Sequence, residues 1–198
     1  MLPAITLLIG ILFFMSGYML LTFHSNFHAY HLQLILRFVT VINCQLIVVI
    51  MEAVIFIGIQ ASGKSTFFHH HFQRTHVRIN LDMLKTRHRE SIMMNACVEA
   101  KQRFVVDNTN PTLEERNKYI ECLKNEGFTI KGYYFQSVIA DCLTRNKSRI
   151  GDERVPAVGV KATYNRLVLP NYQEGFDELF YVSMKNNKFV VREWKNEI

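Results

Sequence analysis

Acidic residues and lysine are missing from the first fifty positions, where Arg37 is the only charged side chain. So little charge excludes an ordinary solvated domain surface for residues 1–50. The other 22 basic and all 17 acidic residues lie from Met51 onward, which leaves about +5 on that part. The chain is therefore read as an apolar extension, residues 1–50, and a globular domain, residues 51–198. The four cysteines (Cys44, Cys97, Cys122 and Cys142) show no paired spacing and no CxxC. That argues against a disulfide framework or a cysteine zinc site and suits small buried hydrophobes in a reducing compartment. HExxH, a Ser-His-Asp arrangement, internal repeats and low-complexity segments are absent too. His69, His70 and His71 are consecutive, so on a helix they fan out and cannot converge on one metal.

The extension holds two apolar runs, Leu2 to Phe23 and Phe38 to Met51. The first is long enough to cross a bilayer. It lacks the positive start and small-residue cleavage site of a signal peptide. It also lacks the flanking Lys or Arg that would orient a membrane anchor. Two readings stay open: an anchor, or upstream residues that precede a natural start at Met51.

From Met51 onward, strands and helices alternate. Ala53 to Ile57 is fully apolar and β-branched, as a buried parallel strand should be. A helix is expected from about Lys64 to Thr75, a strand over Val77 to Ile79, and a long helix from there to about Gln102. That helix would turn Leu84, Ile92, Met93, Ala96, Cys97 and Ala100 to one face. Phe104 to Val106 is the third strand, stopped by Asp107. Asn110 as cap, Pro111 at the first position, and Glu114 and Glu115 in the first turn predict the next helix, which closes at Gly127. Phe128 to Phe135 is the fourth strand, followed by a helix from Val138 to about Lys147. A polar loop, Gly151 to Gly159, precedes a further helix to about Val168. Glu178 to Met184 and Lys188 to Trp194 read as a hairpin around Asn186-Asn187. The pattern predicts an α/β fold with three layers and a mainly parallel sheet.

One motif carries most of the chemistry. Gly58-Ile-Gln-Ala-Ser-Gly63-Lys64-Ser65 fits G-x4-G-K-S, with Thr66 next and an apolar strand just before it. Glycines let the backbone curl so that N–H groups point at a phosphate. Gly58, Ala61, Ser62, Gly63, Lys64, Ser65 and Thr66 are thus the expected ATP-binding residues. Lys64 supplies a charge between the β- and γ-phosphates, and the Ser65 hydroxyl is suited to Mg2+. The helix that begins here adds its positive end.

The other candidates sit at strand ends and in a loop. Asp107 ends an apolar strand, where an acidic residue can hold Mg2+ opposite the phosphate loop. Asp82 follows the second strand and suits a general base for an acceptor hydroxyl, or else a helix cap. Lys85, Arg87 and Arg89 crowd one helix start, as a solvated face or to meet an anionic acceptor. Arg145 and Arg149 flank a polar loop, where arginines can fold over a transferring phosphate. The alternative for that pair is exposed helix-end cations. Asn108, Thr109 and Asn110 cluster beside Asp107, at least one of them as a helix cap.

With these residues in hand, the segment from Met51 to about Asp177 resembles the P-loop kinases of the polynucleotide kinase type. The matching pieces are GIQASGKSTF, INLDMLK (Ile79 to Lys85), FVVDNTNP (Phe104 to Pro111), RNKSRIGDERVP (Arg145 to Pro156) and Tyr164. The resemblance implies that Asp82 activates a nucleic-acid 5′-hydroxyl. It also implies that Lys85, where the family usually has arginine, helps to hold the acceptor phosphate, and that Arg145 or Arg149 contacts the ATP phosphates. Two features depart from it: a phosphatase domain is missing, and so is an obvious basic and aromatic groove for a strand. The expectation is a kinase that uses ATP and Mg2+ on a nucleic-acid 5′-hydroxyl or a small alcohol. A nucleotide-dependent switch that transfers to water is the other class. Its expected place is the cytoplasm, or a membrane if residues 1–50 are an anchor.

Overall fold

A computed structural model describes residues 51–186 and 188–195. The apolar runs expected within residues 1–50 lie outside these, as does Asn187 of the expected turn. Among the described residues no helix is long and apolar enough to cross a membrane.

The apolar runs that follow Met51 do become strands. β1 is Glu52–Ile57, β2 Val77–Ile79, β3 Phe104–Val106, β4 Thr129–Phe135, β5 Glu178–Lys185 and β6 Lys188–Glu193. They form one sheet in the order β2-β3-β1-β4-β5-β6. The first five are parallel, and β6 returns antiparallel against β5. β1 lies in the middle, with Ala53 to Ile57 fully buried. Side chains alternate across a strand, so β1 feeds two cores. Ala53, Ile55 and Ile57 join Phe104, Ile120, Leu123 and Ile130 on one face. Val54 and Phe56 join Phe67, Phe68, Phe135 and Val182 on the other. Two covered faces make the three layers expected.

The helices are α1 Lys64–His71, α2 Leu81–Leu84, α3 Arg87–Glu99, α4 Leu113–Asn125, α5 Ile139–Lys147 and α6 Ala157–Arg166. Short 3₁₀ turns sit at Gly151–Glu153 and Tyr172–Glu174. Four of these depart from the sequence expectation. α1 stops at His71, and Phe72 and Gln73 donate to the Phe68 carbonyl as the chain turns off. The long helix after β2 is broken: Lys85 sits in the left-handed region at φ 67°, and Thr86 caps a new helix by accepting from the Arg89 N–H. Its inward face is Glu90, Met93, Met94, Cys97 and Val98, whereas Ile92, Ala96 and Ala100 face solvent. The cap of α4 is Thr112, whose side chain accepts from the Glu115 N–H. Asn110 is not the cap, because its carboxamide instead donates to the Phe56 carbonyl at 2.8 Å while its backbone takes φ 44°. Finally, the polar loop is shorter than expected, since α6 starts at Ala157.

Candidate active site

The carboxyl ends of β1, β2 and β3 meet at one edge of the sheet, where an open α/β fold places its ligands. The glycine loop leaves β1 and opens α1. Its backbone needs three left-handed positions: Ala61 at φ 60°, Gly63 at φ 102° and Gly58 at φ 148°. A side chain at Gly58 would also press to 3.1 Å of Phe135, so glycine answers both demands. The loop is pinned from both flanks. The Gly58 N–H donates to the Thr109 carbonyl, and the Ile59 N–H donates to the Ser137 hydroxyl at 3.2 Å. Ile59 packs under the loop on Cys142 and Val160, and the Gln60 amide donates to the Thr163 hydroxyl of α6.

Lys64 lies curled inside this loop. Its ammonium donates to the carbonyls of Gly58 (2.8 Å) and Ile59 (2.6 Å) and to the Ser62 hydroxyl (3.3 Å). Burial pushes its pKa down to about 8, although the negative charge of Asp107 pulls it back up. Asp82 raises it more weakly, and Arg149 lowers it. Thr66 lies exposed on the first turn of α1.

Asp107 is almost fully buried at the end of β3. Its Oδ2 accepts from the Ser65 hydroxyl at 3.3 Å. It also accepts from Arg78 Nε at 2.8 Å and from Arg78 Nη2, which donates in addition to Ser65 Oγ at 2.9 Å. Arg78 rests over the Phe68 ring, 5.4 Å from its centroid. Two hard oxygens this close fit a divalent cation of the Mg2+ kind. The guanidinium that bridges them shows that the pair attracts positive charge. Arg78 escaped the sequence reading; its one signal was a charge inside the apolar strand Val77-Arg78-Ile79.

Asp82 lies exposed in the first turn of α2 and takes no hydrogen bond among the described residues. The capping duty belongs to Asn80, which accepts from the Met83 N–H at 3.2 Å. The cap reading of Asp82 is therefore set aside. The cluster after Asp107 divides its work. Asn108 accepts from the Leu81 N–H and donates to Glu90, so it ties α2 to β3. Thr109 holds Gly58, and Asn110 holds Phe56. Arg87 does not wait at the surface for an anion alone: it donates to Glu90 at 2.8 Å and to the Tyr119 hydroxyl at 2.9 Å. Lys85 and Arg89 are exposed on the same side.

Arg145 and Arg149 come from α5 and the turn after it. Arg145 reaches two sulfurs, Met184 Sδ at 3.8 Å and Cys142 Sγ at 3.5 Å, and its buried Nε has no partner among the described residues. Sulfur is a weak acceptor, so most of this guanidinium's hydrogen-bonding capacity stays available. Arg149 donates to the Glu153 carbonyl at 3.3 Å. Asn146 brackets the loop between them and α6: its carboxamide accepts from the Val155 N–H (3.1 Å) and donates to the Val155 carbonyl (2.6 Å). Behind the site, fully buried Arg116 donates to the carbonyls of Asn110, Pro111 and Val168 and pairs with Glu174. Neither Arg116 nor Asn146 stood out in the sequence.

A glycine loop closed on its own lysine, a helix opening behind it and a buried aspartate facing the loop's serine define a P-loop domain of the kinase fold. A chain from the Pnkp1/Rnl/Hen1 RNA repair complex is similar in fold, with a TM-score of 0.50 at 20% identity over 74% of this chain and 50% of that one. A sugar kinase from Janibacter is similar too, with a TM-score of 0.51 at 14% identity over 67% of this chain and 84% of that one. No protein-family model matches the chain. In sequence the chain is similar to proteins described as polynucleotide phosphatase/kinases. The chain is 29% identical over 150 residues to a Schizosaccharomyces pombe protein described as a bifunctional polynucleotide phosphatase/kinase. The match covers 72% of this chain and 36% of that relative, so the chain spans about a third of the relative's length.

Proposed function

We propose that this domain is a phosphotransferase that moves the γ-phosphate of ATP to a hydroxyl, with a nucleic-acid 5′-hydroxyl as the leading acceptor. The observation that carries the reading is the glycine loop closed on the Lys64 ammonium, with buried Asp107 accepting from the Ser65 hydroxyl at the start of α1. A cation for the phosphates and an acid for a metal thus flank one loop, and Asp82, Arg145 and Arg149 supply the carboxylate and the arginines that the reading needs. The similarity to a polynucleotide phosphatase/kinase supports the nucleic-acid acceptor.

In this mechanism the loop N–H groups from Gly63 to Ser65, at the N-terminus of α1, receive the β-phosphate. Lys64 leaves its carbonyls and turns its ammonium to the β- and γ-phosphates. Ser65 and Asp107 would hold Mg2+, which when bound neutralises charge on the phosphate oxygens. Asp82, free of capping, takes the proton of the acceptor hydroxyl as the new P–O bond forms and the bond to the ADP oxygen breaks. Arg145 and Arg149 stabilise the charge that spreads over the γ-phosphoryl oxygens. Lys85, beside Asp82, suits the acceptor's own phosphate.

The test is transfer from γ-labelled ATP to a panel of 5′-hydroxyl oligonucleotides and to a pool of small alcohols, with Lys64→Ala beside the parent. Label on the oligonucleotides in the parent alone supports the proposal. Label on a small alcohol instead moves the acceptor but keeps the reaction. Release of phosphate to water, with no acceptor labelled, replaces the kinase with a nucleotide-driven switch.

A further inference from the structure

Arg78 has no place in the mechanism above, yet it makes the closest contacts in the metal-binding corner. One guanidinium spans Asp107 Oδ2 and Ser65 Oγ, the two oxygens that suit a divalent cation. We propose that Arg78 is a resident counter-cation, which holds Asp107 and Ser65 in place and must be displaced before a nucleotide-bound divalent ion can settle. Arg78 thereby sets the metal concentration at which the site fills. The inference rests on the kinase reading for the identity of the metal, but its central contact is independent of it.

Three features support displacement rather than permanent sharing. The Asp107 side chain is only 1% exposed, so the cation beside it governs access to its carboxylate. Both contacts to Asp107 fall on Oδ2, the same oxygen that accepts from Ser65. A guanidinium and a divalent ion on one oxygen would repel strongly at such short range. A way out also exists. The Arg78 side chain is 20% exposed, and Nη1 already lies 3.8 Å from the sulfur of Met83, a residue 63% exposed on α2. Rotation over Met83 would carry the head to water while the stem stays on Phe68, as long cationic side chains commonly do.

The proposal predicts a metal requirement that moves when the cation is removed. Two quantities are measured on the full chain: the dissociation constant for Mn2+ without nucleotide, from water-proton relaxation, and the Mg2+ concentration that half-saturates binding of a non-hydrolysable ATP analogue. In Arg78→Met, which keeps the stem on Phe68, both should fall by about tenfold. Arg78→Lys should return most of the parent requirement, because a cation is restored. In an Asp107→Asn background the Arg78→Met substitution should change neither quantity, since the contested charge is gone. Arg78→Gln serves if Arg78→Met melts early, with the same order expected. An unchanged or raised metal requirement in Arg78→Met overturns the proposal and makes Arg78 a partner of the metal or the phosphates. If the analogue binds neither protein while Mn2+ follows the expected order, Arg78 keeps its role and the kinase reading falls.

Discussion

The guanidinium of Arg116 meets the carboxylate of Glu174 in a two-pronged pair, Nε to Oε2 at 2.6 Å and Nη2 to Oε1 at 2.8 Å, with neither side chain open to solvent. The pair joins α4 to a turn 58 residues later, and the same guanidinium also holds the Asn110 and Pro111 carbonyls. It therefore fixes the strand-end segment that carries Asp107. Glu174→Gln leaves a buried cation without its counter-charge, a loss of about 3–5 kcal/mol. For a domain of this size that lowers the melting temperature by roughly 6–20 °C. The double variant Arg116→Met/Glu174→Leu should melt higher than Glu174→Gln alone, because no uncompensated charge remains. Equal melting of Glu174→Gln and the parent would remove the pair from the account of stability.

Lys64→Ala should fold but lose ATP turnover and the thermal stabilisation that Mg2+ and ATP give the parent. The lysine's partners in the free loop are the buried carbonyls of Gly58 and Ile59 and the Ser62 hydroxyl, which the substitution leaves without that donor. The melting temperature without nucleotide should therefore fall modestly, while the response to Mg2+ and ATP disappears altogether. Turnover at the parent rate would place the active site elsewhere.

Asp82→Asn separates a base from a structural residue. Since Asn80 caps α2, the substitution should leave melting temperature and ATP affinity nearly unchanged. Transfer to the acceptor should drop by about 10²–10⁴-fold, the usual contribution of a placed base. Asn80→Ala should do the reverse at first, costing about 1 kcal/mol of stability through the lost cap. Parent-like transfer by Asp82→Asn would end its candidacy.

Glu52 supplies a pH dependence away from the site. It stands at the start of β1, where it meets His76 at 3.0 Å and Lys131 at 3.0 Å. The His76 hydrogen bond, then Lys131, hold its carboxyl down to about 2 against the opposing effect of burial. A depressed carboxylate contributes stability above its ordinary value of 4.5 and loses it as pH falls through about 2. The gap in melting temperature between the parent and Glu52→Gln should be constant above pH 4.5 and close on the way to pH 2. A gap that does not narrow would mean that the carboxylate's charge is not what stabilises this edge.

Much of this molecule was legible in the sequence because the signals were local. The apolar run before Gly58, the glycine spacing and the acid after Phe104-Val-Val each lie within a few residues of the structure they specify. The failures are equally physical. Asn110 had the composition of a cap, but a carbonyl of β1, 54 residues away in sequence, holds its side chain. The helix after β2 breaks at Lys85 because Thr86 offers a second cap, and the buried Glu90 network then sets which face of α3 turns inward. Arg116 and Glu174 carry no local mark of their pairing, and Arg78 showed only as a charge in a short strand. Its partner Asp107 was found, but which cation would stand beside it depended on how β2 and β3 align.

The Asn146 bracket has a bearing on size selection. One carboxamide ties off the loop that carries Arg149, so a short tether limits how far that arginine can travel. Ile150, the next residue, points outward with 88% of its surface exposed. A loop drawn in this way stands as a short rim beside Arg149 rather than as a long flap. Under the proposed nucleic-acid acceptor, such a rim would leave room for a chain that continues past the site.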